Sequence, residues 1–172
     1  SDSSATVFAD LRTQVHNYSN RGLLGLAVDP SFPANPYVYV YYTLDAPIGG
    51  VPPVFGVAGQ TQDPCPGSLD EVNCVVSARV SRLRFANEQV DGPEQVLVND
   101  WCQQFAYHAG GGIEFGADGY LYVSSGDGAR WGTWDFGQLG NPTNACGDPP
   151  GGVGDPMTAP TAEGGRLRAQ DL

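Results

Sequence analysis

The same order of segments occurs twice along this chain, and this repeat limits the possible folds more than any other feature. Each copy consists of a hairpin of two short strands, a long Pro- and Gly-rich loop, and a strand with an Arg-Leu-Arg core. The copies are hairpin 24–43, loop 44–76 and strand 81–85, then hairpin 113–123, loop 127–163 and strand 165–169. A further predicted strand at 94–98 gives the first copy four strands, and the second copy ends after its third. Repetition of a four-stranded unit is typical of a β-propeller. We therefore expect an all-β fold built from four-stranded antiparallel blades.

The repeat divides the chain into about two blades. Blade unit 1 spans about residues 21–98, and blade unit 2 spans about residues 108–172 and is incomplete. A propeller needs several blades to close and hide its edge strands. Residues 1–172 are therefore expected to be the N-terminal part of a single propeller domain. Its partners would be the remaining blades or a second chain, and pairing between copies of this chain would also cover the edges.

The segment from His108 to Asp127 has the pattern of a tight β-hairpin. Ile113 and Phe115 alternate in a first strand, Asp118-Gly119 supplies the turn, and residues 120–123 form a second strand. His108 is followed closely by three glycines, and Asp127 lies between two more. Residues at the ends of rigid strands are often the ones that bind or react. The alternative is a turn with a surface histidine and a structural aspartate.

Other residues carry weaker expectations. The segment 6–15 alternates loosely and is predicted to be a strand, with His16 near its end on the surface. Aromatic faces stack on sugars, so three tryptophans could line a carbohydrate cleft, although anchoring of long loops is an equal alternative. These tryptophans are Trp101, Trp131 and Trp134.

The charge balance is strongly acidic. The chain has 19 acidic residues against 8 basic ones, all Arg, for a net charge of −11. Such a charge argues against nucleic acid or an anionic membrane surface as a partner. No apolar run is long enough to span a bilayer, so no membrane span is expected.

Four cysteines predict two disulfides. There is no CxxC motif and there are only two histidines, so we assign no metal ligands. Three pairings are possible, and we favour Cys65–Cys74, which closes a short loop, with Cys102–Cys146 as the second bond. Disulfides form in oxidising compartments, so the protein is expected to be secreted and extracellular.

Three motifs resemble one known family in the order in which they occur. The segments GLLGLAVDPSF, HAGGGIEFGADGYLYVSSGDG and GGRLRAQDL are similar to those of the glucose/sorbosone dehydrogenase family. That resemblance implies a six-bladed propeller that oxidises sugars (aldoses) with pyrroloquinoline quinone (PQQ) and calcium. The segments DWCQQ and NPTNACGDPPGG, with the lack of Lys, resemble the secreted actinobacterial branch of the family.

The resemblance also implies roles for individual residues. His108 would be the catalytic base that takes the sugar hydroxyl proton while hydride passes to the quinone, a task suited to imidazole near neutral pH. The other implied residues would contact the cofactor. They are Gly110, Gly111, Asp127, Arg130 and Gln138.

The chain also departs from the family pattern. Tyr107 stands where an acid often precedes the histidine, Ala109 where an asparagine often follows it, and Asn20-Arg21 where a glutamine-like residue often precedes the first strand. Most ligands of PQQ and calcium would come from later blades, so this fragment alone is expected to be inactive. Two alternatives to an enzyme follow: a non-catalytic propeller module that binds glycan or protein, and a structural or assembly subunit.

Overall fold

The computed structural model describes residues 5–69, 74–126 and 128, and within them the fold is all β. These residues form seven strands, and all strand pairs are antiparallel, which confirms the predicted fold class. The strands are β1 (Leu23–Val28), β2 (Tyr37–Leu44), β3 (Val76–Ala86), β4 (Gln89–Val90), β5 (Gln95–Gln103), β6 (Gly110–Phe115) and β7 (Leu121–Ser125). None of these residues belongs to a helix that could cross a bilayer.

The first sheet has the strand order of a propeller blade. Strands β1, β2, β3 and β5 are neighbours in that order, and the short β4 pairs with the far end of β3. Strands β6 and β7 form a separate two-stranded sheet. Almost all of the segment predicted to complete the second blade lies outside the described residues. The division into two blade units therefore stays a prediction.

The two sheets pack closely where β1 faces β6. A Cβ atom added at Gly25 would lie 2.6 Å from Ile113 Cγ2 and 2.7 Å from the Gly111 carbonyl oxygen, so only glycine fits between these strands. Buried Tyr41, Ala78, Val80 and Trp101 form the core beneath, and apolar side chains of both sheets pack against them. One hydrophobic core therefore extends across both sheets.

The turn between β6 and β7 has the chemistry that its sequence predicts. Gly119 adopts a φ of 84°, and its N–H donates to the Gly116 carbonyl at 2.9 Å. The Asp118 carboxylate accepts the Tyr120 N–H at 3.1 Å and the Tyr122 hydroxyl at 2.7 Å. The hairpin prediction at 113–123 is confirmed, with β6 beginning three residues earlier at Gly110.

The expectation of a strand in the N-terminal segment is wrong. The segment 6–15 is not a strand: its chain turns after Leu11, whose carbonyl accepts the N–H groups of Gln14 and Val15, and only Val15 pairs, in a single bridge to Leu44. Its apolar side chains pack on the core without a ladder, which explains the misleading alternation. Trp101 lies on β5, is 6% exposed and meets Tyr41 edge-on, so its ring packs as an anchor in the core, the second of its two expected roles.

Candidate functional site

His108 lies in the connection between β5 and β6, and its backbone is held from both sides. The residue is half-buried and adopts a φ of 51°, which is uncommon for a residue other than glycine. Its N–H donates to Asn20 Oδ1 at 3.1 Å, and its carbonyl accepts the N–H of Gly128 at 3.2 Å. The two contacts fix the backbone of this residue just before β6.

The carbonyl of the next residue, Ala109, accepts two buried hydrogen bonds. One comes from the Tyr41 hydroxyl at 2.9 Å and the other from Gln103 Nε2 at 3.1 Å. Gln103 is in turn fixed by the Thr43 hydroxyl, which donates to its side-chain oxygen at 3.3 Å. Strands β2 and β5 therefore position the backbone just after His108, and fully satisfied buried networks of this kind are rigid.

Arg21 holds the backbone that leads to His108. Its side chain is buried and donates to the carbonyls of Cys74 at 2.7 Å, Gln103 at 3.0 Å and Phe105 at 2.7 Å. No ion pair joins Arg21 to a carboxylate in the part of the chain that the structure describes. Burial lowers the pKa of Arg21 to about 9, so the guanidinium stays charged at neutral pH.

In the sequence, Asn20 and Arg21 stand out only because they depart from the family pattern. The structure gives the pair a joint role, because the Asn20 N–H also donates to the Ala106 carbonyl at 3.1 Å. Together they bind the chain on the approach to His108 at several successive residues. The sequence signal for this role is a polar pair just before an apolar strand. That pattern does not reveal partners that lie more than 80 residues away along the chain.

His16 is fully buried, so the expectation of a surface histidine is wrong. Its Nδ1 lies 3.4 Å from Arg21 Nη1 and its Nε2 lies 3.5 Å from the sulfur of Cys74. The ring also packs against that of Phe55, with centroids 5.2 Å apart. Burial, together with the charge of Arg21, lowers the pKa of His16 to about 3, so the imidazole is neutral at ordinary pH.

A disulfide joins Cys65 to Cys74 and ties down the long loop between β2 and β3. Cys102 is also disulfide-bonded, and Cys146, its predicted partner, lies outside the described residues. The imidazole of His16 and the sulfurs of Cys65 and Cys74 lie within 4.8 Å of one another. Because thiolates rather than disulfide sulfurs bind metal ions, the oxidised pair does not form a metal site.

Asp45 and Asp63 are two buried carboxylates that help to anchor the same loop. Asp63 Oδ2 accepts the Asn17 N–H at 2.9 Å, and Asp45 Oδ1 accepts the Phe55 N–H at 3.1 Å. Burial raises the pKa of Asp45 to about 6, and the nearby charge of Asp63 acts in the same direction. The loop is thus fixed by backbone N–H groups that donate to these two carboxylates as well as by the disulfide.

The backbone explains why glycines follow His108. Gly110 has a φ of 92°, and a Cβ there would lie 2.6 Å from the Gly126 nitrogen; Gly111 has a φ of 152° and faces the Leu24 carbonyl. The β6–β7 register also shifts between Gly110 and Gly112. Protein atoms therefore fill the side-chain position of Gly110, whereas that of Gly111 is only close to the Leu24 carbonyl, and the cofactor contacts of both residues stay predictions.

The remaining predicted site residues cannot be placed beside His108. Asp127, Arg130 and Gln138 lie outside the described residues, as do Trp131 and Trp134. Within the described residues, the structure brings together His108, its glycines and the supporting residues Asn20, Arg21, Tyr41 and Gln103.

Comparison with known proteins identifies the same family over most of the chain. A family model described as glucose/sorbosone dehydrogenase matches residues 2–147. A crystal structure described as a putative oxidoreductase (glucose dehydrogenase) from Thermus thermophilus shares 30% identity over 66% of this chain, with a TM-score of 0.44. Another structure, described as a glucose dehydrogenase, shares 19% identity over 88% of the chain, with a TM-score of 0.42. The chain spans 27% and 36% of the lengths of these two proteins.

Proposed function

Because this chain belongs to the glucose/sorbosone dehydrogenase family, we propose that it is part of a secreted sugar dehydrogenase. The proposed substrate is an aldose, and the reaction converts one sugar hydroxyl to a carbonyl. The hydroxyl oxygen loses a proton, and the carbon that bears it loses a hydride. The two leave together, so the protein must supply a base next to the position of a hydride acceptor.

The observation that carries this proposal is the fixed backbone of His108. Its N–H and its carbonyl are both hydrogen-bonded to other parts of the chain, and the next carbonyl is held by Tyr41 and Gln103. A neutral imidazole accepts a proton through its unprotonated ring nitrogen, and a base works best when its position is set before the substrate binds. We assign proton abstraction to the His108 imidazole.

The described residues do not fit the carboxylates of PQQ, the acceptor that the family resemblance implies. The guanidinium of Arg21 is buried and already donates to three backbone carbonyls, so it is not available to bind an anion. A Cβ atom at Gly110 would overlap the Gly126 nitrogen, so protein closely packs the backbone there. The residues that would hold PQQ are therefore proposed to lie elsewhere, with Asp127, Arg130 and Gln138 among them, and later blades are proposed to supply the calcium ligands.

The test is dye-linked oxidation of aldoses by the natural-length protein supplied with PQQ and calcium. His108→Asn removes the base but keeps a residue that tolerates positive φ. We expect this variant to lose at least about 100-fold in kcat, the usual contribution of a general base. Tyr120→Phe is the control, since Tyr120 is 71% exposed in the turn. Activity of His108→Asn equal to that of the control would contradict the assignment.

A second candidate function is a propeller module that binds glycan without oxidising it. The observation in its favour is that Arg21, at the edge where the family pattern has a cofactor-side residue, is buried and donates to three backbone carbonyls. Titration with PQQ and with oligosaccharides separates the two candidates. Saturable glycan binding with no quinone uptake would favour the module, whereas a dissociation constant for PQQ in the micromolar range or below would favour the enzyme.

A further inference from the structure

Two buried side chains converge on one sulfur of the Cys65–Cys74 disulfide. Arg21 Nη1 lies 3.5 Å from the sulfur of Cys74 and 3.9 Å from that of Cys65, and His16 Nε2 lies 3.5 Å from the sulfur of Cys74. The two cysteines are therefore not equivalent. Cys74 is 2% exposed and lies beside both Arg21 and His16, whereas Cys65 is 8% exposed and its sulfur is farther from the Arg21 guanidinium.

The orientation of His16 makes it a donor to the same sulfur. Arg21 Nη1 can only donate, so we assign the acceptor role of the neutral ring to His16 Nδ1 and the ring proton to Nε2. That proton faces Cys74. A guanidinium and an N–H group next to a sulfur stabilise its thiolate, and a stabilised thiolate is a better leaving group in disulfide exchange.

We propose that Cys65–Cys74 is a thiol–disulfide exchange site in which a low-molecular-weight thiolate attacks Cys65 and Cys74 leaves as a thiolate held by Arg21 and His16. The bond between the two cysteine sulfurs breaks, and a bond between Cys65 and the incoming sulfur forms. The electron pair of the broken bond stays on Cys74, so no separate oxidant or reductant is needed. The product carries a mixed disulfide on Cys65. The inference is independent of the proposed sugar oxidation.

The first experiment determines which sulfur is attacked. The natural-length protein is exposed briefly to limiting glutathione, quenched with a maleimide and cleaved after Glu71, which separates the two cysteines. Mass spectrometry then locates the two labels. We expect glutathione on Cys65 and the maleimide on Cys74 in at least about tenfold excess over the reverse, since the better leaving thiolate departs faster. Equal labelling, labelling in the reverse order, or no exchange at this disulfide would overturn the proposal.

The second experiment measures the stabilisation of each thiolate directly. Cys65→Ser leaves Cys74 as a single thiol beside Arg21 and His16, and Cys74→Ser is the matched control that leaves Cys65. Alkylation rates measured against pH should give a midpoint for Cys74 below that of Cys65 and below about 8.5, the ordinary value for a thiol. A Cys74 midpoint at or above that of Cys65 would overturn the proposal.

Removal of the two donors tests their part in this effect. In the Cys65→Ser background, Arg21→Met should raise the midpoint of Cys74 towards the ordinary value. If circular dichroism shows that this variant does not fold, His16→Phe provides the same test, because it removes the N–H donor and keeps an aromatic ring beside Phe55. An unchanged midpoint in the folded variant would overturn the assignment.

Discussion

Asn20 Oδ1 accepts the backbone N–H of His108 at 3.1 Å, although the two residues are 88 positions apart. The contact joins the segment before β1 to the connection before β6. It therefore fixes the candidate base through a hydrogen bond to its backbone. Asn20 is a positioning residue in this arrangement, and its effect on chemistry can be separated from its effect on folding.

Asn20→Ala should weaken catalysis by the natural-length enzyme more than it weakens the fold. Loss of a single exposed hydrogen bond costs about 0.5–1 kcal/mol of unfolding free energy. Urea denaturation measures that cost, while kcat should fall and KM should change little because the substrate contacts remain. Asn20→Asp keeps an acceptor oxygen and should restore most of the rate. Equal loss of kcat in both variants would contradict the positioning role.

The positive φ of His108 predicts which replacements the backbone tolerates. His108→Val should destabilise the fold by about 1–2 kcal/mol, because a β-branched side chain clashes in the left-handed region. His108→Asn and His108→Gly should remain close to the wild type in stability. Thermal or urea unfolding of the three variants provides the measurement. If valine is tolerated as well as asparagine, this backbone conformation is wrong.

The pH dependence of stability should contain two opposing contributions from two buried groups, His16 and Asp45. The pKa of His16 is lowered to about 3 from 6.5, so the unfolded chain binds more protons between these values and stability falls as the pH falls. The pKa of Asp45 is raised to about 6 from 3.8, so the native state binds more protons in that window and stability falls as the pH rises.

Single variants should separate these contributions. His16→Phe should remove the loss of stability that His16 causes as the pH falls. Because the contribution of Asp45 remains, the free energy of unfolding should then rise as the pH is lowered from 6 to about 4. Asp45→Asn should have the opposite effect, so that the free energy of unfolding falls more steeply as the pH is lowered. Urea unfolding at several pH values measures both slopes. Slopes that match the wild type in both variants would show that neither group is buried as described.

Gly25→Ala should destabilise the contact between the two sheets. The added methyl group would overlap Ile113 Cγ2 and the Gly111 carbonyl, and overpacking of this kind typically costs about 1–3 kcal/mol. Gly49→Ala is a useful comparison, because Gly49 has a φ of 78° but open space around it. A smaller cost is expected there, from the backbone conformation alone. An equal or greater cost for Gly49→Ala, measured by urea unfolding, would contradict the close approach of β1 and β6.

The local features of this fold follow from the sequence because short-range chemistry determines them. The β-branched and aromatic run of β2, the alternation in β3 and the Asp118-Gly119 turn each specify an element without reference to the rest of the chain. The segment 6–15 shows the limit of this approach. Its alternation is genuine, but its side chains pack on a core that other strands provide, so no ladder forms.

The supporting residues of the candidate site could not be predicted for a different reason. Arg21, Gln103 and Tyr41 act on backbone groups that lie far along the chain or beyond a tight turn, and such contacts have no periodicity. The burial of His16 depends in the same way on a loop, a disulfide and Arg21 meeting at one place. A single sequence identifies the candidate base but not the groups that hold it.

The three carbonyl partners of Arg21 have a consequence for variation among related chains. One cation from the start of the first blade donates hydrogen bonds to the carbonyls of Cys74, Gln103 and Phe105. A neutral residue at position 21 would leave all three carbonyl oxygens without this donor at once, so no single compensating mutation could restore the hydrogen bonds. We therefore expect position 21 to change only together with the backbone path of both neighbouring loops, which makes it a marker of subfamily divergence.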